Sequence, residues 1–125
     1  MKVVDAGVVV DVLIGHLDPM QLGEDVLVAP HLLDSEVLQV LRRLVRSDAL
    51  SVAEGEIAVA ALGRLVISRF PALGLHARIW ELRQNLTAYD ATYVALAERV
   101  GAPLLTTDAR LAAAPGATCR IELVH

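Results

Sequence analysis

Asp5 closes the apolar run Val3-Val4, and Asp108 follows Leu104-Leu105-Thr106, so each acid ends a segment that reads as a buried strand. Asp90 falls in the first turn of a helix opened by Thr87, on the face it shares with Val94, Ala97 and Val100. Glu36 falls near the start of the helix after a second strand, beside the stripe Leu33, Val37, Val40, Leu41 and Leu44. In an open parallel sheet, strand ends and the starts of the following helices meet at one edge, outside the carboxyl ends of the strands. These acids can all converge there. Carboxylates gathered in one cleft raise each other's pKa. A hard divalent cation that takes oxygen ligands, such as Mg²⁺, relieves the repulsion. Such an ion polarises a phosphoryl oxygen and supplies hydroxide at neutral pH, so the expected chemistry is phosphodiester hydrolysis by metal-activated water.

Taken singly, the acids have ordinary readings too. Thr87 and Asp90 have capping-box spacing. Asp108 can cap a short helix over 109–113, and Glu36 can complement a helix dipole. Asp5 is the hardest to explain away, because an acid at the end of a buried strand is costly without a partner. Spacing does not choose Glu36 over Asp34, which also lies in the first turn, and it does not exclude Asp11, Asp18 or Asp25.

Arg83 and Asn85, just before Thr87, are placed to touch a substrate, and Tyr89 beside Asp90 is a stacking residue for a base. Trp80 reads as core or interface, and Tyr93 as a further stacking ring. Arg42, Arg43 and Arg46 cluster late in their helix, either as a solvated face or as a grip for phosphates. His16, His31, His76 and His125 show no ligand spacing, and there is no Walker A loop, G-x-G-x-x-G or G-x-S-x-G.

The elements that must position these residues alternate between strand and helix. Lys2–Asp5, Val26–Ala29, Pro103–Thr106 and Arg120–Val124 read as strands, with Val66–Phe70 as a further one. Val8–His16, His31–Arg46, a helix from the Ser51 cap to about Val66, Leu75–Arg83, and a helix from Thr87 to about Gly101 read as helices. That order predicts an α/β fold, a three-layer sandwich with a mostly parallel sheet between helices, over one domain spanning 1–125.

Composition suits this fold. The chain of 125 residues is 55% hydrophobic and only 3% aromatic, which supplies an aliphatic core. Such an apolar excess also leaves surface for a second copy of the chain. Cys119 is the single cysteine, which excludes an internal disulfide. No apolar run is long enough to span a bilayer, and Asp5 and Asp11 interrupt the apolar N-terminus, so a cytoplasmic protein is expected. The net charge of −4 weighs against a nucleic-acid partner. Lys2 is the only lysine among eleven basic residues, the rest being arginine.

Val3-Val4-Asp5-Ala6-Gly7, Pro30-His31-Leu32-Leu33-Asp34-Ser35-Glu36-Val37, Asn85-Leu86-Thr87-Ala88-Tyr89-Asp90-Ala91 and Leu104-Leu105-Thr106-Thr107-Asp108-Ala109-Arg110-Leu111 together resemble the PIN-domain toxins of the VapBC type, in order and spacing. The resemblance implies a PIN-like fold and an endoribonuclease dependent on Mg²⁺ or Mn²⁺. It selects Asp5, Glu36, Asp90 and Asp108 as catalytic acids, with the metal on Asp5, Asp90 and Asp108 and with Thr106 in support. It also implies a homodimer, an RNA substrate and a cognate antitoxin. One position departs from the pattern: the family usually carries Ser or Thr two residues after the first acid, and here Gly7 leaves a hydroxyl to be replaced, for example by water. Gly7 and the negative charge also allow a PIN-fold binding module without activity. A phosphoacceptor receiver domain would want a lysine late in the chain, and Lys2 does not supply one.

Overall fold

In the computed structural model, which describes Met1–His125, three short apolar segments lie side by side at the centre. The strands are β1 (Lys2–Val4), β2 (Leu27–Pro30), β3 (Ile67–Phe70), β4 (Leu104–Thr106) and β5 (Ile121–Leu123). They form one sheet in the order β3-β2-β1-β4-β5, every pair parallel. Val3 pairs with Val28 on one side and Leu104 on the other, and all three are buried. This burial explains why β1, β2 and β4 read as continuous apolar runs rather than alternating ones.

The chain builds outward from β1 to β2 and β3, then returns to place β4 and β5 on the other side of β1. The order therefore reverses between β1 and β4, and a crevice opens where their carboxyl ends diverge. The helices are α1 (Ala6–Leu13), α2 (Leu32–Arg46), α3 (Val52–Arg64), α4 (His76–Glu81), α5 (Ala88–Val100) and α6 (Ala109–Ala113), with a 3₁₀ turn over Pro19–Leu22. Helices α1, α2 and α3 pack on one another, while α5 lies over β1, β2 and β4 with α4 against it. Seven consecutive residues of α5, Ala91 to Ala97, are buried, the three alanines among them allowing close approach while Tyr93, Val94 and Leu96 fill the core. No helix is long and apolar enough to cross a membrane.

The predicted elements are all present, including Val66–Phe70 as the edge strand β3, which begins at Ile67. Helix α1 starts two residues earlier than the pattern suggests, because Asp5 is its N-cap and accepts the Val8 N–H at 3.0 Å. Ser51 and Glu54 form both halves of the capping box that opens α3. Trp80 is 67% exposed, so the core role considered for it does not hold; Arg83 covers one face of its ring at 4.7 Å.

Away from the crevice, one ion pair fastens α4, α5 and the strand-to-strand connection together. Arg78 donates to both Glu98 oxygens, at 2.7 and 3.0 Å, and to the Gly116 carbonyl at 2.8 Å, while Glu98 also accepts the Thr118 N–H at 2.7 Å. The guanidinium, with the Thr118 N–H, holds the Glu98 carboxyl down at about 2, against an ordinary value of 4.5. The stabilisation is therefore complete above about pH 4.5 and is lost as pH falls toward 2. Solvent around Arg78 screens the pair to about 1–2 kcal/mol. We expect Glu98→Gln to lower stability by that amount at pH 7 in urea unfolding, with the gap narrowing at pH 3. A gap of equal size at both pH values would show that the charge is not the source.

Candidate active site

Asp5 emerges from β1 directly into α1 and is 9% exposed. One oxygen accepts the Val8 N–H, and the other accepts the hydroxyl of Thr106, the last residue of β4. The Thr106 oxygen in turn accepts the Asp108 N–H at 3.0 Å. A single fully buried hydroxyl thus joins the acids at the ends of β1 and β4, across the point where the strand order reverses. Asp108 caps α6 by accepting the Arg110 N–H at 2.9 Å, and its side chain is 42% exposed.

Glu36, on the second turn of α2, accepts a hydrogen bond from the Tyr93 hydroxyl at 2.7 Å. Tyr93 is buried in α5, and burial followed by the Glu36 carboxylate holds its phenol far above the ordinary value, so it remains a donor. Asp90 is half-buried in the first turn of α5. Its N–H bonds the Thr87 hydroxyl at 3.1 Å, but its carboxylate does not close the reciprocal half of the capping box. The cap accounts for the Asp90 backbone N–H; at the carboxylate, Thr87 and Arg110 oppose the rise from burial and from Asp108 without cancelling it.

The electrostatics of these acids are coupled. Burial raises the Asp5 carboxyl to about 6; the bonds from Thr106 and Val8 oppose the rise, and the charges of Asp90 and Glu36 add to it. Burial and then the charge of Asp108 raise Asp90. Arg110 offers Asp108 a loose ion pair at 3.8 Å from an almost fully exposed side chain. No other cation pairs with any of the four.

Three other candidate acids, Asp34, Asp25 and Asp18, are engaged elsewhere, and this separates Glu36 from Asp34. Arg69 on β3 grips Asp34 with two hydrogen bonds, at 3.1 and 2.8 Å. Asp25 pairs with Lys2 at 3.2 Å, and Asp18 caps the 3₁₀ turn through the Met20 N–H. Of the residues flanking Asp90, Tyr89 lines a cavity shared with Glu36 and Ala6. Arg83 donates to the Trp80 carbonyl at 2.9 Å, and Asn85 lies near Gly116; neither hydrogen-bonds an acid.

Position 7 has a physical explanation. A Cβ there would stand 2.7 Å from the Thr107 hydroxyl oxygen and 3.6 Å from an Asp5 oxygen. The volume a side chain at Gly7 would fill is already taken by the hydroxyl of Thr107. Sequence reasoning missed Thr107, and it treated Tyr93 only as a stacking ring. The available signal for Tyr93 was its place three residues after Asp90, hence on the same helical face.

A divalent cation fits this donor set. Every donor is a hard carboxylate oxygen, and the repulsion among them is left largely uncompensated by protein cations. No three acids close around a single point. That spacing suits Mg²⁺, which is usually bound through one or two carboxylates and retains its own waters.

Residues 2–117 match the PIN domain family. The chain is 48% identical over 129 residues to Ribonuclease VapC1 of Mycobacterium tuberculosis, covering 98% of this chain and 97% of that protein. It is 45% identical over 125 residues to Ribonuclease VapC9 of the same organism, covering 99% and 98%. Among solved structures it is similar to PAE2754 from Pyrobaculum aerophilum, with a TM-score of 0.71, 25% identity, and 96% and 81% of the two chains covered. It shares the fold of Mycobacterium tuberculosis VapC20, a sarcin-ricin loop cleaving toxin, with a TM-score of 0.66, 16% identity, and 90% and 94% covered.

The contact between positions 7 and 107 can be measured as a coupling. In a helix, Gly→Ala gains up to about 1 kcal/mol. With Thr107 in place the clash offsets that gain, so Gly7→Ala should be neutral or destabilising in thermal unfolding. In a Thr107→Ala background the same change should stabilise. Equal effects in both backgrounds would remove the contact as the reason for glycine.

Proposed function

This chain belongs to the PIN-domain family, among the VapC ribonucleases, and from that premise we propose that its acidic crevice hydrolyses RNA as the toxin of a type II toxin–antitoxin pair. The observation that carries the reading is the Thr106 hydroxyl, which ties Asp5 to the backbone of Asp108 where β1 and β4 diverge. It fixes two acids of opposite strands in a crevice without a matching cation.

In this reading Asp5, Asp90 and Asp108 would hold the metal, one or two of them directly and the rest through its waters, and Glu36 completes the catalytic acids. When bound, Mg²⁺ or Mn²⁺ supplies Lewis acidity and a nucleophilic water at neutral pH. Thr106 keeps one Asp5 oxygen fixed, so the ligand does not have to reorganise when charge develops on the phosphate. The Tyr93 hydroxyl holds one Glu36 oxygen and leaves the other to orient the attacking water and accept its proton. Tyr89, which lines a cavity with Glu36, is the substrate contact the geometry supports; Arg83 and Asn85 are proposed as further contacts only from their place just before Thr87 in the chain. The hydroxyl of Thr107 beside Gly7 weakens one of the two motives for an inactive binding module; the other, the net charge of −4, stands.

The partners follow from the exposed apolar surface. A groove of about 620 Å³ between α2 and α3 is lined by Leu38, Val45, Val52 and Val59, and offers a cognate antitoxin an apolar seat. Exposed Leu73 and Trp80 give a second copy area to cover in a homodimer. The protein acts in the cytoplasm, where its RNA substrate is.

The test is cleavage of RNA by purified protein with Mg²⁺ or Mn²⁺, with and without EDTA. We expect cleavage that EDTA abolishes, leaving 5′-phosphate and 3′-hydroxyl ends. Asp90→Asn should cut the rate by about 100-fold or more while keeping the fold, since the Thr87 cap bonds the backbone of residue 90. Cyclic-phosphate ends, or cleavage that survives EDTA, would falsify the mechanism.

A further inference from the structure

The four acids do not account for the cavity beside them. About 340 Å³ of space lies between the first half of α2 and the start of α5, bounded by Ala6, Glu36, Gln39, Val40, Arg43 and Tyr89. Ala6 follows Asp5 and Tyr89 precedes Asp90, so the cavity opens directly from the crevice. Its wall is half apolar, as the face of a nucleobase requires.

Its polar residues form a sequence along α2. Glu36 stands at the crevice end, and Arg43 two helical turns on, about 10 Å along the axis. Gln39 lies between them with both a donor and an acceptor on its carboxamide. Arg43 is exposed and, like Arg42, Arg46, Arg64, Arg83 and Arg99, forms no ion pair, so its guanidinium is available; its position, not its lack of a partner, sets it apart. It is also the only cation lining the cavity. Tyr89 is 61% exposed and its hydroxyl has no protein partner, while Tyr93, one turn later, is buried and bonded to Glu36. A free ring at the mouth of a half-apolar cavity is a stacking platform that tolerates any base. The neighbouring Arg42 and Arg46 line the groove toward α3 instead, so Arg43 alone is directed to this side.

We propose that this cavity is a nucleotide subsite for single-stranded RNA. The base next to the scissile phosphate stacks on Tyr89, its edge bonds the Gln39 carboxamide, and the following phosphate pairs with Arg43. A protein of net charge −4 with an acid-lined crevice repels RNA at long range. A dedicated cation at a fixed distance from the acids compensates locally and sets the direction in which the strand lies. The inference rests on the ribonuclease reading above.

The experiment measures binding separately from cleavage. A short fluorescein-labelled single-stranded RNA is titrated with protein in Ca²⁺ in place of Mg²⁺, and anisotropy gives the affinity at several salt concentrations. Tyr89→Ala should weaken binding about tenfold, and Tyr89→Phe should not. Arg43→Gln should reduce the slope of log K against log salt by about 0.7, the value for one phosphate contact on a single strand. Arg46→Gln should leave that slope unchanged. Gln39→Ala should narrow the spread of affinities among RNAs that differ in the base. Unchanged affinity and slope in Tyr89→Ala and Arg43→Gln overturn the subsite and leave the ribonuclease reading standing, since that is judged by EDTA-sensitive cleavage. If no RNA is cleaved and Tyr89→Ala still loses affinity, the cavity binds RNA without a scissile phosphate beside it, and the proposal falls together with the hydrolytic reading. Variants that bind RNA normally but lose a cognate partner protein assign the cavity to that partner, and the proposal falls.

Discussion

A carboxylate buried at the centre of a sheet is tolerable only if its oxygens are bonded, and here one threonine makes that possible. Thr106 is fully buried, donates to Asp5 and accepts from the Asp108 N–H, so its hydroxyl is used in both directions. Leaving such a group unpaired costs about 1–3 kcal/mol. The bond therefore decides whether β1 can end in an acid at all. Because it does, Asp5 can open α1, and because Asp108 is held by the same atom, β4 delivers a second acid to the same crevice. Tyr93 does for α2 what Thr106 does for the strands, holding Glu36 from a buried helix on the far side of the chain's sequence.

The acids of this protein fall into two groups that composition does not distinguish. Asp25, Asp34 and Glu98 are met by Lys2, Arg69 and Arg78, and each sits below its ordinary pKa. Asp5 and Asp90 have no ion-pair partner; burial first, and then the charges of neighbouring acids, hold them above it. The first group fastens elements together, whereas the second stores repulsion at one place. That separation is the physical content of calling the crevice a cation site.

Most of the architecture was legible in the sequence, because periodicity and caps are local. The apolar runs of β1, β2 and β4, the Ser51-x-x-Glu54 box and the Thr87 cap each declare themselves within a few residues. The start of α1 moved by two residues on a signal that is itself local, the Asp5 cap on the Val8 N–H three residues on. The choice between Asp34 and Glu36 was not legible. It depends on Arg69, 35 residues beyond Asp34, and on Tyr93, 57 residues beyond Glu36. No window of local sequence contains either pair, and only the resemblance to a family pointed to Glu36. For Trp80, read as core or interface, exposure removes the core alternative and leaves the interface one, because its ring lies at the surface under an arginine.

Positions 7 and 107 share one volume and one hydroxyl beside Asp5. Such a pair constrains how the sequence can drift. Moving the hydroxyl to position 7 while Thr107 remains overfills the space, whereas cutting back Thr107 while Gly7 remains leaves the site without that hydroxyl. Neither single step is neutral, so the two substitutions are epistatic, and each makes the other acceptable. A lineage with glycine at position 7 is therefore expected to retain a hydroxyl-bearing residue at position 107, a covariation that binds two segments separated by nearly the whole chain.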